Sequence, residues 1–128
     1  MSRSGYSDDC EGGDLYRGAA TSAMRGNRGQ AFLKEMLQAL DALPEKKLID
    51  YDLQRDGQFC AIGAVGHARG VDMSDLDPED IEHVAATFGI AAAMAREIVY
   101  ENDEANWRDD TPEQRFERMR TWISQTIR

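Results

Sequence analysis

Leu15, Tyr16, Ala19, Ala20, Ala23 and Met24 recur at helical spacing behind Asp14, a candidate N-cap, and predict a first helix. It stops at Arg25-Gly26-Asn27-Arg28-Gly29, where Gly and Asn suit the left-handed backbone of a tight interhelical turn. From Gln30 to Leu43 the pattern is the clearest of the chain. Phe32, Leu33, Met36, Leu37, Leu40 and Leu43 form one stripe, Lys34, Glu35, Gln38 and Asp41 lie off it, and Pro44 ends the helix. Leu48-Ile49-Asp50-Tyr51-Asp52-Leu53 suits either a helical turn or an extended connection. The least polar run of all, Asp56 to Gly70, consists mainly of small residues and predicts a buried central helix at about 58–69. Gly63 and Gly66 would each cost that helix ~1 kcal/mol relative to Ala, so they imply that neighbouring elements approach its backbone closely.

Beyond a C-cap at Gly70, Val71 and Met73 close over the core, and Asp77 (N-cap), Pro78, Glu79 and Asp80 mark a helix from Pro78 to Phe88. Gly89 stops it, and another helix runs from Ala91 to about Glu101. Val84, Ala85, Phe88, Gly89, Ile90, Ala95 and Ile98 give the pair at 81–101 the small and apolar positions of a helix-turn-helix. Its reading helix, however, begins Ala91-Ala92-Ala93-Met94 and sets Arg96 beside Glu97, a poor set of groups for bases or phosphates. After an acidic loop, Thr111-Pro112-Glu113-Gln114 is a capping box, and Phe116, Met119, Ile123 and Ile127 line the last helix. The expected fold is all-α: five or six short helices in a single compact domain, 14–128, around the small-residue helix. Residues 1–13, polar and without period, form a flexible leader outside it.

The charge is uneven. The chain carries a formal −9, but residues 1–34 hold five basic against four acidic side chains, so the rest carries a net −10. Such a body repels nucleic acid at long range and attracts a basic protein surface. Asp80, Glu101, Asp103, Glu104, Trp107, Asp109 and Asp110 are the candidate contact surface, with Trp107 as a possible anchor of the hot-spot type. Carboxylates this dense could hold Ca²⁺ or Mg²⁺, but the spacing is not that of an EF-hand, and no metal or cofactor is expected. Arg25 and Arg28 form the candidate anion contact; with Arg17 and the helix-turn-helix-like pair at 81–101 they are the basis of the alternative reading, a small nucleic-acid-binding regulator.

No catalytic set stands out. Cys10 and Cys60 read as free thiols, and His67 lies seven residues beyond Cys60, about 10 Å along a helix and too far for a direct hydrogen bond. No apolar run reaches the ~18 residues of a membrane span and no signal peptide is evident, so the expected compartment is the cytoplasm.

The blocks Arg3-Ser4-Gly5-Tyr6-Ser7-Asp8-Asp9, Arg25-Gly26-Asn27-Arg28-Gly29-Gln30, Ala39-Leu40-Asp41-Ala42-Leu43-Pro44-Glu45-Lys46, Cys60-Ala61-Ile62-Gly63-Ala64, Glu97-Ile98-Val99-Tyr100-Glu101-Asn102-Asp103-Glu104 and Thr111-Pro112-Glu113-Gln114-Arg115-Phe116 resemble a family of small proteins of temperate bacteriophages and proteobacterial prophages. The resemblance covers nearly the whole chain. It implies a phage or prophage setting. The uneven charge and the missing catalytic set point separately to a non-enzymatic accessory protein that binds a host or phage protein through the acidic surface around residues 72–110, where an acidic face could imitate DNA charge against a host defence or nucleic-acid-processing protein.

Overall fold

The structure, a computed structural model, describes residues 3–5, 13–105 and 110–128, with backbone alone for 13–16. It is all-α apart from one small hairpin: α1 (Gly13–Arg25), α2 (Asn27–Ala42), β1 (Gln54–Arg55), β2 (Gln58–Phe59), α3 (Ala61–Arg69), α4 (Ile81–Phe88), α5 (Ala92–Asp103) and α6 (Pro112–Thr126). No helix among the described residues is long and apolar enough to cross a membrane.

The apolar stripes settle the packing. On α2, Phe32, Leu33, Met36 and Leu40 are buried while Lys34, Gln38 and Asp41 face out, and the helix packs on α1, α3 and α6. On α6, Phe116, Met119 and Ile123 are buried behind a complete capping box: Thr111 Oγ1 accepts from Gln114 N, and Gln114 Oε1 accepts from Thr111 N. Helix α5 packs against α1, α3, α4 and α6, and no residue from Ala92 to Asp103 is exposed.

Four local expectations need correction. The turn between α1 and α2 is a single extended residue, Gly26, with Asn27 already helical. No left-handed turn is needed there. The helices meet so closely that a Cβ on Gly29 would lie 2.1 Å from the Ala23 carbonyl oxygen. Helix α4 starts at Ile81, not Pro78, because Asp80 is its N-cap, accepting from His83 N at 3.2 Å. Asp77 instead accepts from Glu79 N and closes the turn before it. The central helix starts at Ala61, since Asp56 and Gly57, both at positive φ (54° and 77°), turn a hairpin that pairs Gln54 with Phe59 and Arg55 with Gln58. Two successive positive φ values are what a two-residue hairpin turn matching the strand twist requires. Finally, the N-terminal segment is not wholly outside the domain, because Arg3 and Ser4 are buried in it; residues 1–2 and 6–12 of the expected leader lie outside the described residues.

Helix α3 is the buried centre, with Ala61 to Gly66 all enclosed. What approaches Gly63, however, is the connection before the hairpin and not another helix. A Cβ there would stand 1.8 Å from the Leu53 carbonyl oxygen, which is held by a hydrogen bond from Cys60 N at 3.2 Å. At Gly66 it would meet the Met73 sulphur at 2.4 Å. Gly63→Ala is therefore expected to lose about 1–3 kcal/mol or more through overpacking against backbone, exceeding the ~1 kcal/mol gain in helix propensity. Gly66→Ala should lose less, because a methionine side chain can swing aside. Urea unfolding midpoints check the order, and a Gly63→Ala protein as stable as wild type would show that the Leu53 carbonyl can withdraw.

Candidate functional site

Among the described residues, the acids from Glu101 to Asp110 do not share one surface. Asp103 is buried in an ion pair with Arg3, whose Nε and Nη2 donate to its two carboxylate oxygens at 2.5 and 2.8 Å, the side chains being 1% and 0% exposed. Asn102 beside it is equally committed: its amide nitrogen donates to the Ile49 carbonyl (2.9 Å) and to Asp103 (2.8 Å), and its oxygen accepts from Ala61 N (3.1 Å). Asp110 is held by Arg118 Nε and Nη2 at 3.0 and 2.7 Å, and its side chain is 6% exposed. Asp103 and Asp110 thus leave the candidate contact surface: the buried Arg3 claims the first, since a desolvated guanidinium requires a carboxylate nearby, and the partly exposed Arg118 holds the second. Glu101 and Glu104 are half-buried, Asp80 is exposed, and Trp107 and Asp109 lie outside the described residues.

Burial works against the Arg3 charge, yet the nearby Cys60 sulphur and the Asp103 carboxylate hold its pKa above the ordinary arginine value. Its Nη1 is buried without a hydrogen-bond acceptor. Cys60 itself caps α3, Sγ accepting from Gly63 N at 3.3 Å, and His67 is exposed and stacked on Phe59 with ring centroids 4.5 Å apart. The two are engaged in different places, and no hydrogen bond joins them.

Glu101 has a different environment. Burial, then the neighbouring charge of Glu97 one helical turn earlier, raise its pKa above the usual glutamate range; Arg118 and Arg17 pull the other way without prevailing. It borders a groove of about 460 Å³ whose other side is a face of α6: Glu117, Arg118, Thr121, Trp122 and Gln125. Positions four and eight apart along a helix share a face, which is why these five side chains meet there.

The basic candidates are placed otherwise. Arg25 and Arg28 are exposed, and neither side chain makes an ion pair or hydrogen bond among the described residues. Arg17 lies with its guanidinium 4.5 Å from the Tyr100 ring centroid, on the flank of α5. Arg28 also borders a cleft of about 170 Å³ with Arg69, but Arg69 is committed to Glu35 through two hydrogen bonds (2.7 and 2.6 Å) and to the Phe88 carbonyl (3.3 Å). The helix pair at 81–101 keeps the expected turn at Gly89, but α5 presents no exposed residue that could enter a groove of DNA.

Of the acidic stretch expected around residues 72–110, the first part is the one that stays open to solvent. Asp72, Asp75, Asp77, Glu79, Asp80 and Glu82 are all exposed, and none forms an ion pair among the described residues. The signal was a run of acids in a segment without a single Lys or Arg from Val71 to Met94. No family model, curated protein or solved structure matches the chain.

Two acids of α5, two positions apart, should respond oppositely to neutralisation. Asp103→Asn leaves the Arg3 charge buried and unpaired and is expected to cost about 3–5 kcal/mol. Glu101, raised above its ordinary 4.5, binds a proton more tightly folded than unfolded. Its contribution is favourable below the unfolded value and is lost as pH rises through the raised one. Glu101→Gln should therefore be more stable than wild type at about pH 7, with the advantage gone at about pH 4. Urea unfolding at both pH values measures this, and a neutral-pH loss of stability would contradict it.

Proposed function

We propose that the protein is a non-enzymatic accessory protein that binds a basic surface on a protein partner, through exposed acids centred on residues 72–82. The observation carrying this reading is the six unpaired, exposed carboxylates of that segment, which includes Asp80. Several arginines of the chain are taken up elsewhere, with Arg3, Arg55, Arg69, Arg115, Arg118 and Arg120 in ion pairs of their own. The negative field is thus left standing over one connection and the start of α4, where it can steer a cationic partner.

In the phage or prophage setting that the sequence resembles, the partner is a host or phage protein in the bacterial cytoplasm. A host defence or nucleic-acid-processing protein fits, because its phosphate-binding surface is cationic and an acidic face imitates the charge of nucleic acid. The second reading, nucleic acid binding, is favoured by one observation, the unpaired side chains of Arg25 and Arg28. It is opposed by the net charge of −9.

The test replaces the six acids by their amides. Asn and Gln keep the hydrogen bonds by which Asp72, Asp77 and Asp80 accept from Ser74, Glu79 and His83, so the fold is expected to survive. At ~50 mM salt, immobilised wild-type protein should retain specific proteins from bacterial lysate, release them as screening rises toward ~0.5 M, and lose them in the amide variant. Equal retention by both proteins would overturn the proposal, and a nucleic acid gel shift abolished by Arg25→Ala/Arg28→Ala would favour the second reading.

A further inference from the structure

The groove between α5 and α6 has walls of two kinds. Glu101 and Glu117 are carboxylates, and Trp122 is a half-buried indole packed against the core. Arg118 stands at the same groove, but its guanidinium is consumed by Asp110 and by the carbonyl oxygens of Glu101 and Asn102. It cannot turn to neutralise Glu101 or Glu117 without abandoning those bonds. Glu117, exposed on α6, makes no ion pair among the described residues, and Glu97, 8% exposed, lies one turn behind Glu101 and adds to the negative potential. The groove volume of about 460 Å³ is in the range that holds small ligands, roughly 300–1,000 Å³.

We propose that this groove is a binding site for a guanidinium or ammonium side chain of a basic protein partner, seated on the Trp122 ring between Glu101 and Glu117. Charge complementarity selects the occupant. Glu101 and Glu117, in no ion pair among the described residues, line the groove together with an aromatic ring, and a cation over such a ring gains from its quadrupole as well as from the carboxylates. An anion would meet repulsion from Glu97, Glu101 and Glu117, and an apolar group would leave carboxylates desolvated without a partner. The stem of an arginine or lysine, by contrast, can lie along the indole while its head reaches the acids. The proposal deepens the reading above by naming what the partner inserts, and it depends on that reading only for the partner being a protein.

The site also predicts a pH response. Cation binding needs Glu101 ionised, and the groups facing it are Glu97 on its own helix, Arg17 from α1 and Arg118 and Glu117 from α6. Affinity should therefore fall as pH drops through the raised range of this carboxyl.

The experiment uses Trp122 as its own reporter. With Trp107→Phe removing the other of the two tryptophans, the protein is titrated with the blocked tripeptide Gly-Arg-Gly and with its citrulline isostere. Following the Trp122 indole N–H resonance in the unsubstituted chain repeats the measurement should Trp107→Phe disturb folding. A saturable change with the arginine peptide is expected, about fivefold weaker with citrulline and in Glu101→Gln, the loss of about 1 kcal/mol from one charge contact. Binding should persist in the variant with amides at 72–82, which separates failure of the groove from failure of the surface reading. Absence of saturation, equal curves for arginine and citrulline, an unaffected Glu101→Gln or loss in the 72–82 variant would each overturn the proposal.

Discussion

The buried pair of Arg3 and Asp103 is the constraint on which the rest of the architecture depends. Two charges removed from water must find each other with good geometry or cost several kcal/mol, so the segment carrying Arg3 and the end of α5 cannot be placed independently. Asn102 extends the requirement. Through its hydrogen bonds with Ile49 and Ala61 it sets the connection before the hairpin and the first turn of α3 against the same end of α5. Arg115 donates to the Leu48 carbonyl at 3.0 Å and Arg118 to Asp110, bringing α6 into register with both. A hydrophobic core tolerates small slips between its helices, but this polar seam does not, because each misplaced donor or acceptor would be stranded without water.

The parts legible in the sequence were those written in local chemistry. The capping box at Thr111 to Gln114, the stripe from Phe32 to Leu40 and the stop at Gly89 each depend on residues within a few positions, and they fall where their spacing indicates. Asp56-Gly57 was equally local and was overlooked, because the small apolar residues that follow extended the helical pattern backward across it. Asp77 and Asp80 are both acceptable caps, and only the burial of Ile81 decides between them. The partners of Asp103 and Asp110 were not legible at all. A carboxylate reads the same whether solvated or buried, and Arg3 stands a hundred residues from its partner.

The distribution of charge follows from this. Arginines are spent where the chain must be tied to itself, at the seam and between helices, as in Arg120 with Asp41 and Arg69 with Glu35. Burial and pairing thereby divide the acidic residues into those that hold the fold and those that face solvent or a groove. Net charge alone does not separate the two classes, as Asp103 and Asp110 show.

Helix α5 is covered along its whole length, and this has a consequence for how the molecule opens. Amide hydrogens in an element wrapped by four helices exchange with solvent only when those neighbours separate, whereas frayed ends and surface connections exchange through small local fluctuations. The protection of α5 should thus report the free energy of the global transition, and the seam anchored at its end would dissolve in that same event.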